Sequence, residues 1–253
     1  MNKFFTVLVV CATLSVKSWA VTPIQEHMQW VAIGMSNFYM YQLSDGNEKY
    51  LERFQRDQRR ASKALTRPST NDVNESETLL LLSKWKTLKE KLEVHKVNSQ
   101  SVGEIPIVEG AIRIEYRKYL TGLFLQAFHQ ENLASPTVEN EIAQTKALIS
   151  MLVARTLDIA SDDFGPTGIT AHDNQFNPEK VAKKVNDSIR FLLKQSSSKD
   201  HVYDFKKIQS KFNFIKNPLV DYHVQTPYFL ISQNLKSMIT LLDKNRFTRL
   251  ASD

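Results

Sequence analysis

An all-α fold is predicted by three features of this chain. Glycine is scarce, seven in 253 residues, and β-sheet or alternating α/β architectures usually need more turns than that supplies. The breaks are concentrated at Arg67-Pro68-Ser69-Thr70-Asn71-Asp72, Gly103-Glu104-Ile105-Pro106, Ser135-Pro136, Phe164-Gly165-Pro166 through Asn177-Pro178, Asn217-Pro218 and Thr226-Pro227. Between them lie long segments whose apolar residues recur at helical spacing. The expectation is an elongated antiparallel helical bundle.

The first 20 residues are set apart from that bundle. Lys3 supplies a positive start, Phe4 to Val16 an apolar core and Ser18-Trp19-Ala20 a small-x-small cleavage site, the pattern of a secretory signal peptide. The apolar run is shorter than the roughly 20 residues a spanning helix needs. Val10 before Cys11 is not the small residue a lipid-modification signal requires. Cleavage after Ala20 removes the only cysteine, which excludes disulfides and thiolate zinc sites from the mature chain. It also lowers the formal charge from +6 to +4, by Lys3 and Lys17. That mild charge, spread along the chain, does not indicate nucleic acid. Residues 21–253 are expected to form one domain in the periplasm or secreted, with no transmembrane segment.

The elements follow in order. A first helix from Pro23 to about Leu65 aligns Trp30, Ile33, Asn37 and Tyr41, then Leu51, Phe54, Ala61 and Leu65, with a kink at Asp45-Gly46. Glu77 to about Val97 carries Leu81, Trp85, Leu88 and Leu92 on one stripe. A helix after Pro106 carries Ile107, Ile114, Leu120, Leu123 and Phe128. Pro136 suits a first turn and opens Thr137 to Ile159, with Ile142, Ile149, Leu152, Thr156 and Ile159 inward. Pro178 to Gln195, about Val202 to Ile215, and Pro227 to about Leu250 complete the set. Leu65 precedes Ser83-Lys84-Trp85 by 18 residues and Leu193 precedes Ser210-Lys211-Phe212 by 17. This suggests pseudo-repeats over 22–130 and 137–253, although two unrelated helical hairpins of this composition also look this similar.

Catalytic signatures are missing from the sequence. There is no Gly-x-Ser-x-Gly elbow, no identifiable Ser/His/Asp set and no glycine-rich phosphate loop. None of His27, His95, His129, His172, His201 and His223 follows a glutamate by three positions or joins a His-Glu-x-x-His pattern. No metal and no cofactor are expected. The loop Asp158 to Asp173, with Asp162, Asp163, Gly165, Gly168 and His172, lacks the alternating oxygen spacing of a calcium loop. Its length is of the kind that often serves function.

Arginines carry the binding expectation. Arg155 and Arg190 stand in or beside apolar stretches, where a planar fork suits a carboxylate or oxyanion. Alternatively they snorkel, or pair with Asp158, Glu141 or Asp187. Arg113 and Arg117, four apart on one helix, form another candidate anion pair. Trp30, Tyr39 and Tyr41 are candidate aromatic walls. Arg53, Arg56, Arg60, Lys63 and Arg67 share a helical face, with Arg59 beside it; that face meets either an acidic partner or lipid headgroups, or simply solvent.

The segment Tyr41-Gln42-Leu43-Ser44-Asp45-Gly46-Asn47-Glu48-Lys49-Tyr50-Leu51-Glu52-Arg53-Phe54 places an aromatic helix, a Ser-Asp-Gly interruption and a Tyr-Leu-x-x-Phe helix in succession. It resembles the extracellular helical-bundle sensor domains of bacterial chemoreceptors and histidine kinases, over about 40 residues. The resemblance implies a bundle with a binding or sensing role, and small anions held between helices. The chain departs from that family in having no second membrane helix and no cytoplasmic output module, so sensing would act in trans. The expected function is therefore non-catalytic binding of a small anionic ligand or of an envelope or membrane-protein partner. The alternatives are a structural component of an envelope complex, and an enzyme with dispersed acids and histidines.

Overall fold

The computed structural model describes residues 23–66, 75–101, 110–129, 137–161, 176–221 and 227–250. The signal-peptide segment, the loop from Asp162 to Asp173, and His95, His129, His172 and His223 lie outside what is described, in backbone or side chain. Among the described residues there are eight helices and no strand: α1 Pro23–Leu43, α2 Glu48–Leu65, α3 Glu75–Ser101, α4 Gly110–His129, α5 Val138–Ala160, α6 Pro178–Gln195, α7 Lys199–Val220 and α8 Tyr228–Leu250. The fold is all-α. No helix among these residues is long and apolar enough to cross a membrane.

The expected first helix is two helices. Its break at Asp45-Gly46 is a chain reversal, not a kink. The Gly46 N–H donates to Tyr41 O at 2.9 Å and the Asp45 N–H to Gln42 O at 3.2 Å, the paired bonds of a Schellman stop. Both residues are left-handed, with φ of 52° at Asp45 and 83° at Gly46, so the chain cannot continue as a helix. Asn47 restarts it as N-cap, accepting from the Lys49 N–H at 3.2 Å. α2 then runs back along α1, so that Phe38 meets Phe54 with ring centroids 4.9 Å apart and His27 meets Ala61.

Two helices form the centre. Burial in α1 extends almost unbroken from Ile24 to Tyr41, and in α5 from Ile142 to Ile159. A helix apolar or small on every side is surrounded, not laid on a surface. α1 packs against α2, α4 and α5, and α5 against α1, α6, α7 and α8. Consecutive helices also pack from α2 to α4 and from α6 to α8. Trp85 on α3 and Phe212 on α7 are both buried.

Other boundaries match their local chemistry. Thr137 caps α5 by accepting from the Asn140 N–H at 3.2 Å, and Asn177 caps α6 by accepting from the Lys180 N–H at 2.9 Å. α7 runs beyond the expected Ile215 through Pro218, which sits in the last turn and removes one hydrogen bond only. Gly34 faces α2, yet a Cβ there would lie 3.7 Å from Asp57 Cβ and 3.8 Å from Phe54 Cδ2, ordinary contact distances. Gly34→Ala is therefore expected to raise stability by about 0.5–1 kcal/mol through helix propensity. A urea midpoint at or below that of the parent would show that the interface is tighter than these distances imply.

Candidate functional site

Three of the four candidate arginines meet at the C-terminal end of α5. Arg113, buried on α4, donates from Nη1 to Asp158 O at 2.9 Å, to Asp158 Oδ1 at 2.7 Å and to Ser161 Oγ at 3.1 Å. Its Nη2 donates to Ser161 O at 2.9 Å and Gln42 Oε1 at 3.4 Å. A guanidinium here caps the last carbonyls of α5 and answers the negative end of its dipole. Arg117 donates from Nε to the second carboxylate oxygen of Asp158 at 2.5 Å. The anion between these helices is thus the chain's own aspartate.

Arg155 lines a recess of about 40 Å³ with Arg117, Thr121, Asp158 and Phe176. That is room for a water or two, not for an organic anion. Arg190 differs from its expected place between helices. Ile189 and Leu192 point α6 inward, which turns Arg190 to solvent with its side chain 68% exposed and 3.7 Å from Asp187. Tyr39 lies beneath Arg113, 5.2 Å from ring centroid to guanidinium. Burial, followed by the charge of Asp158, holds its phenol far above the ordinary tyrosine range. Tyr41 is buried beside Phe38, at 6.5 Å, where α1 ends.

Trp30 belongs to a different place, a groove of about 540 Å³ between α1, α2 and α8. Such a volume is usual for small-molecule sites. The α1 floor presents Trp30, Ile33, Ser36 and Asn37. The α2 wall presents Lys49, Tyr50, Arg53, Arg56, Asp57 and Arg60. Facing it across the groove, α8 contributes Phe229, Leu235, Ile239 and Lys236. Arg53, Arg56 and Arg60 of the basic face legible in the sequence therefore form one side of a concavity; Lys63 does not line it, and Arg67 lies outside the described residues.

Its guanidiniums are oriented by their neighbours. Arg60 lies over the Trp30 ring at 4.5 Å and Arg53 over the Tyr50 ring at 5.5 Å. Stacking on an aromatic face leaves the edge of a guanidinium, with its donors, free to receive a planar or tetrahedral oxyanion. Asp57, its side chain wholly buried, is the internal organiser. It accepts from Asn37 Nδ2 at 2.9 Å, Arg56 Nε at 3.2 Å and Arg60 Nη1 at 3.4 Å. Burial raises the Asp57 carboxyl above the usual carboxylate range, against the lowering effect of Arg56. The second acid of the groove, Asp243, is held by the buried Lys146 at 2.5 Å. Asp57, Phe229 and Lys236 were not singled out from the sequence, because nothing in their local pattern marks them; Asn37 and Tyr50 were read only as part of a helical stripe and of the Tyr-Leu-x-x-Phe segment.

A second groove of about 610 Å³ lies between α3 and α4, lined by Leu80, Leu81, Leu88, Tyr119 and Leu123 with Lys84, Glu115 and Lys118. Leu79 and Leu80 beside it are 59% and 55% exposed. Glu115 is tied to Lys91 at 2.7 Å, and no stacked guanidinium faces this groove. Among the described residues no cluster of three or more His, Cys, Asp or Glu is placed to hold a metal. Comparison with known proteins finds no matching family, no matching characterised protein and no matching solved structure.

Proposed function

We propose that this chain is an exported, non-catalytic binding protein for a small anionic ligand with an apolar body, held in the groove between α1, α2 and α8. The supporting observation is the pair of guanidiniums, Arg53 and Arg60, already laid on Tyr50 and Trp30 inside a concavity of ligand size. Lys49, Arg56 and Lys236 add positive charge along the same groove, and Phe229, Leu235 and Ile239 supply hydrocarbon opposite. Preorganised forks lose little side-chain freedom on binding, so their gain is kept as affinity. Export rests on the leader-like first 20 residues, and the non-catalytic reading on a sequence with no Gly-x-Ser-x-Gly elbow, no identifiable Ser/His/Asp set and no glycine-rich phosphate loop.

Thermal-shift measurements with medium-chain carboxylates test the reading. A ligand present at a hundredfold excess over its Kd should stabilise the fold by about 2.7 kcal/mol. Trp30→Ala should abolish most of that shift, and raised salt should weaken it, since the groove is open to solvent. No stabilisation by any apolar carboxylate or phosphate monoester at low salt would defeat the proposal.

A further inference from the structure

The groove also carries information about its ligand. Arg53 and Arg60 stand seven residues apart on α2, two helical turns on one face, or about 10.5 Å along the axis. Each has its own aromatic support, Tyr50 for Arg53 and Trp30 for Arg60. Between them Asp57, anchored through Asn37 on the groove floor, accepts from Arg56 at 3.2 Å and from Arg60 at 3.4 Å, so one carboxylate is shared by both. Arg60, unlike Arg56, also lies on an aromatic ring. Lys49 adds charge one turn before Arg53 on the same helix. The α8 wall is mixed: Phe229, Leu235 and Ile239 stand among Ser232, Gln233, Lys236, Thr240 and Asp243. The groove therefore offers two aromatic-supported guanidiniums two helical turns apart, with hydrocarbon from Phe229, Leu235 and Ile239 on the facing wall.

Accepting the groove as an anion site, we infer that its ligand is a dianion: two oxyanion groups about 10 Å apart, joined by an apolar span, one end received by Arg53 and the other by Arg60. A monoanion would leave one oriented guanidinium unused. A short dianion would bring two charges to one fork and none to the other. Both are discriminated against by geometry rather than by net charge, because all these probes are attracted to the same basic wall.

Calorimetric titration of the full chain with decanedioate, decanoate and butanedioate tests this. Decanedioate, whose carboxylates lie about that far apart when extended, should bind at least about tenfold tighter than decanoate, and butanedioate weaker than both. Arg53→Gln and Arg60→Gln should each reduce decanedioate to the affinity of decanoate. Arg60→Lys, which keeps the charge but loses the fork, should recover only part of the loss. Both arginines are at least partly exposed, so the variants are expected to melt near the parent without ligand, which a thermal scan checks. Equal binding of decanedioate and decanoate would overturn the two-ended ligand while leaving the anion groove standing. Failure of all three probes, and of medium-chain phosphate monoesters, would overturn both.

Discussion

Asp158→Asn should destabilise the fold by about 3–5 kcal/mol. The carboxylate is 4% exposed in its side chain and faces two guanidiniums, Arg113 at 2.7 Å and Arg117 at 2.5 Å. Removing one member of such a cluster leaves positive charge in a low-dielectric site with its nearest counter-charge gone. The amide of asparagine retains one acceptor but also turns donors toward the guanidiniums. The damage extends beyond the pair, because the same Arg113 caps the α5 carbonyls and lies over Tyr39 of α1. Three helices, α1, α4 and α5, are therefore registered through one carboxylate. Asp187→Asn makes the control: its partners Lys183 and Arg190 are 78% and 68% exposed, and its loss should fall within about 0.5 kcal/mol. Urea midpoints of the two variants compare a buried with a surface ion pair directly. A loss below about 1 kcal/mol for Asp158→Asn would mean that the cluster costs nearly as much to desolvate as it returns.

Much of the fold was legible where short-range chemistry decides it. α6 begins and ends at the residues expected, because Asn177 caps and Pro178 fits a first turn. The α3 stripe of Leu81, Trp85, Leu88 and Leu92 is buried as its period required. The stripes read for α1 and α5 captured only part of helices that are covered on nearly every side, since burial there is set by neighbours far along the chain. The α1–α2 reversal was hidden by an apolar rhythm that resumes after Gly46; only the left-handed Asp45 beside it turns a tolerable kink into a stop. The candidate site shows the same division. The spacing of Arg113 and Arg117 was visible, but the aspartate that occupies them lies more than 40 residues on. The Arg53–Arg56–Arg60 face was visible as well. The opposite wall, on α8, could not be joined to it without the fold.

Acidification between pH 6.5 and about 4 should cost the protein about 3 kcal/mol through His27 alone. The imidazole is fully buried at the junction of four helices. Because a carbonyl can only accept, Nδ1 carries the hydrogen and donates to Ala61 O on α2 at 2.8 Å. Nε2 of the neutral ring then accepts from the Tyr119 hydroxyl on α4 at 2.6 Å. That hydroxyl lies 3.2 Å from Leu81 O on α3, and the Trp85 ring meets the imidazole edge-on at 5.5 Å. No carboxylate takes part in these contacts, and burial depresses the His27 pKa to about 4, with the Ala61 hydrogen bond offsetting it only in part. The unfolded chain therefore binds this proton first as pH falls. The stability is fully present above pH 6.5 and is lost progressively toward pH 4. Asp57 works in the opposite sense: its raised folded pKa lets the native state take up a proton before the unfolded chain does, which adds stability on acidification. The His27 contribution is isolated by difference. His27→Gln, although less stable at pH 7, should lose about 3 kcal/mol less than the parent on going from pH 7 to pH 4, because Asp57 is common to both. Parallel urea midpoints for the two proteins across that range would show that His27 titrates alike in the folded and unfolded chain, and would remove it as the acid-sensitive joint of α1 to α4.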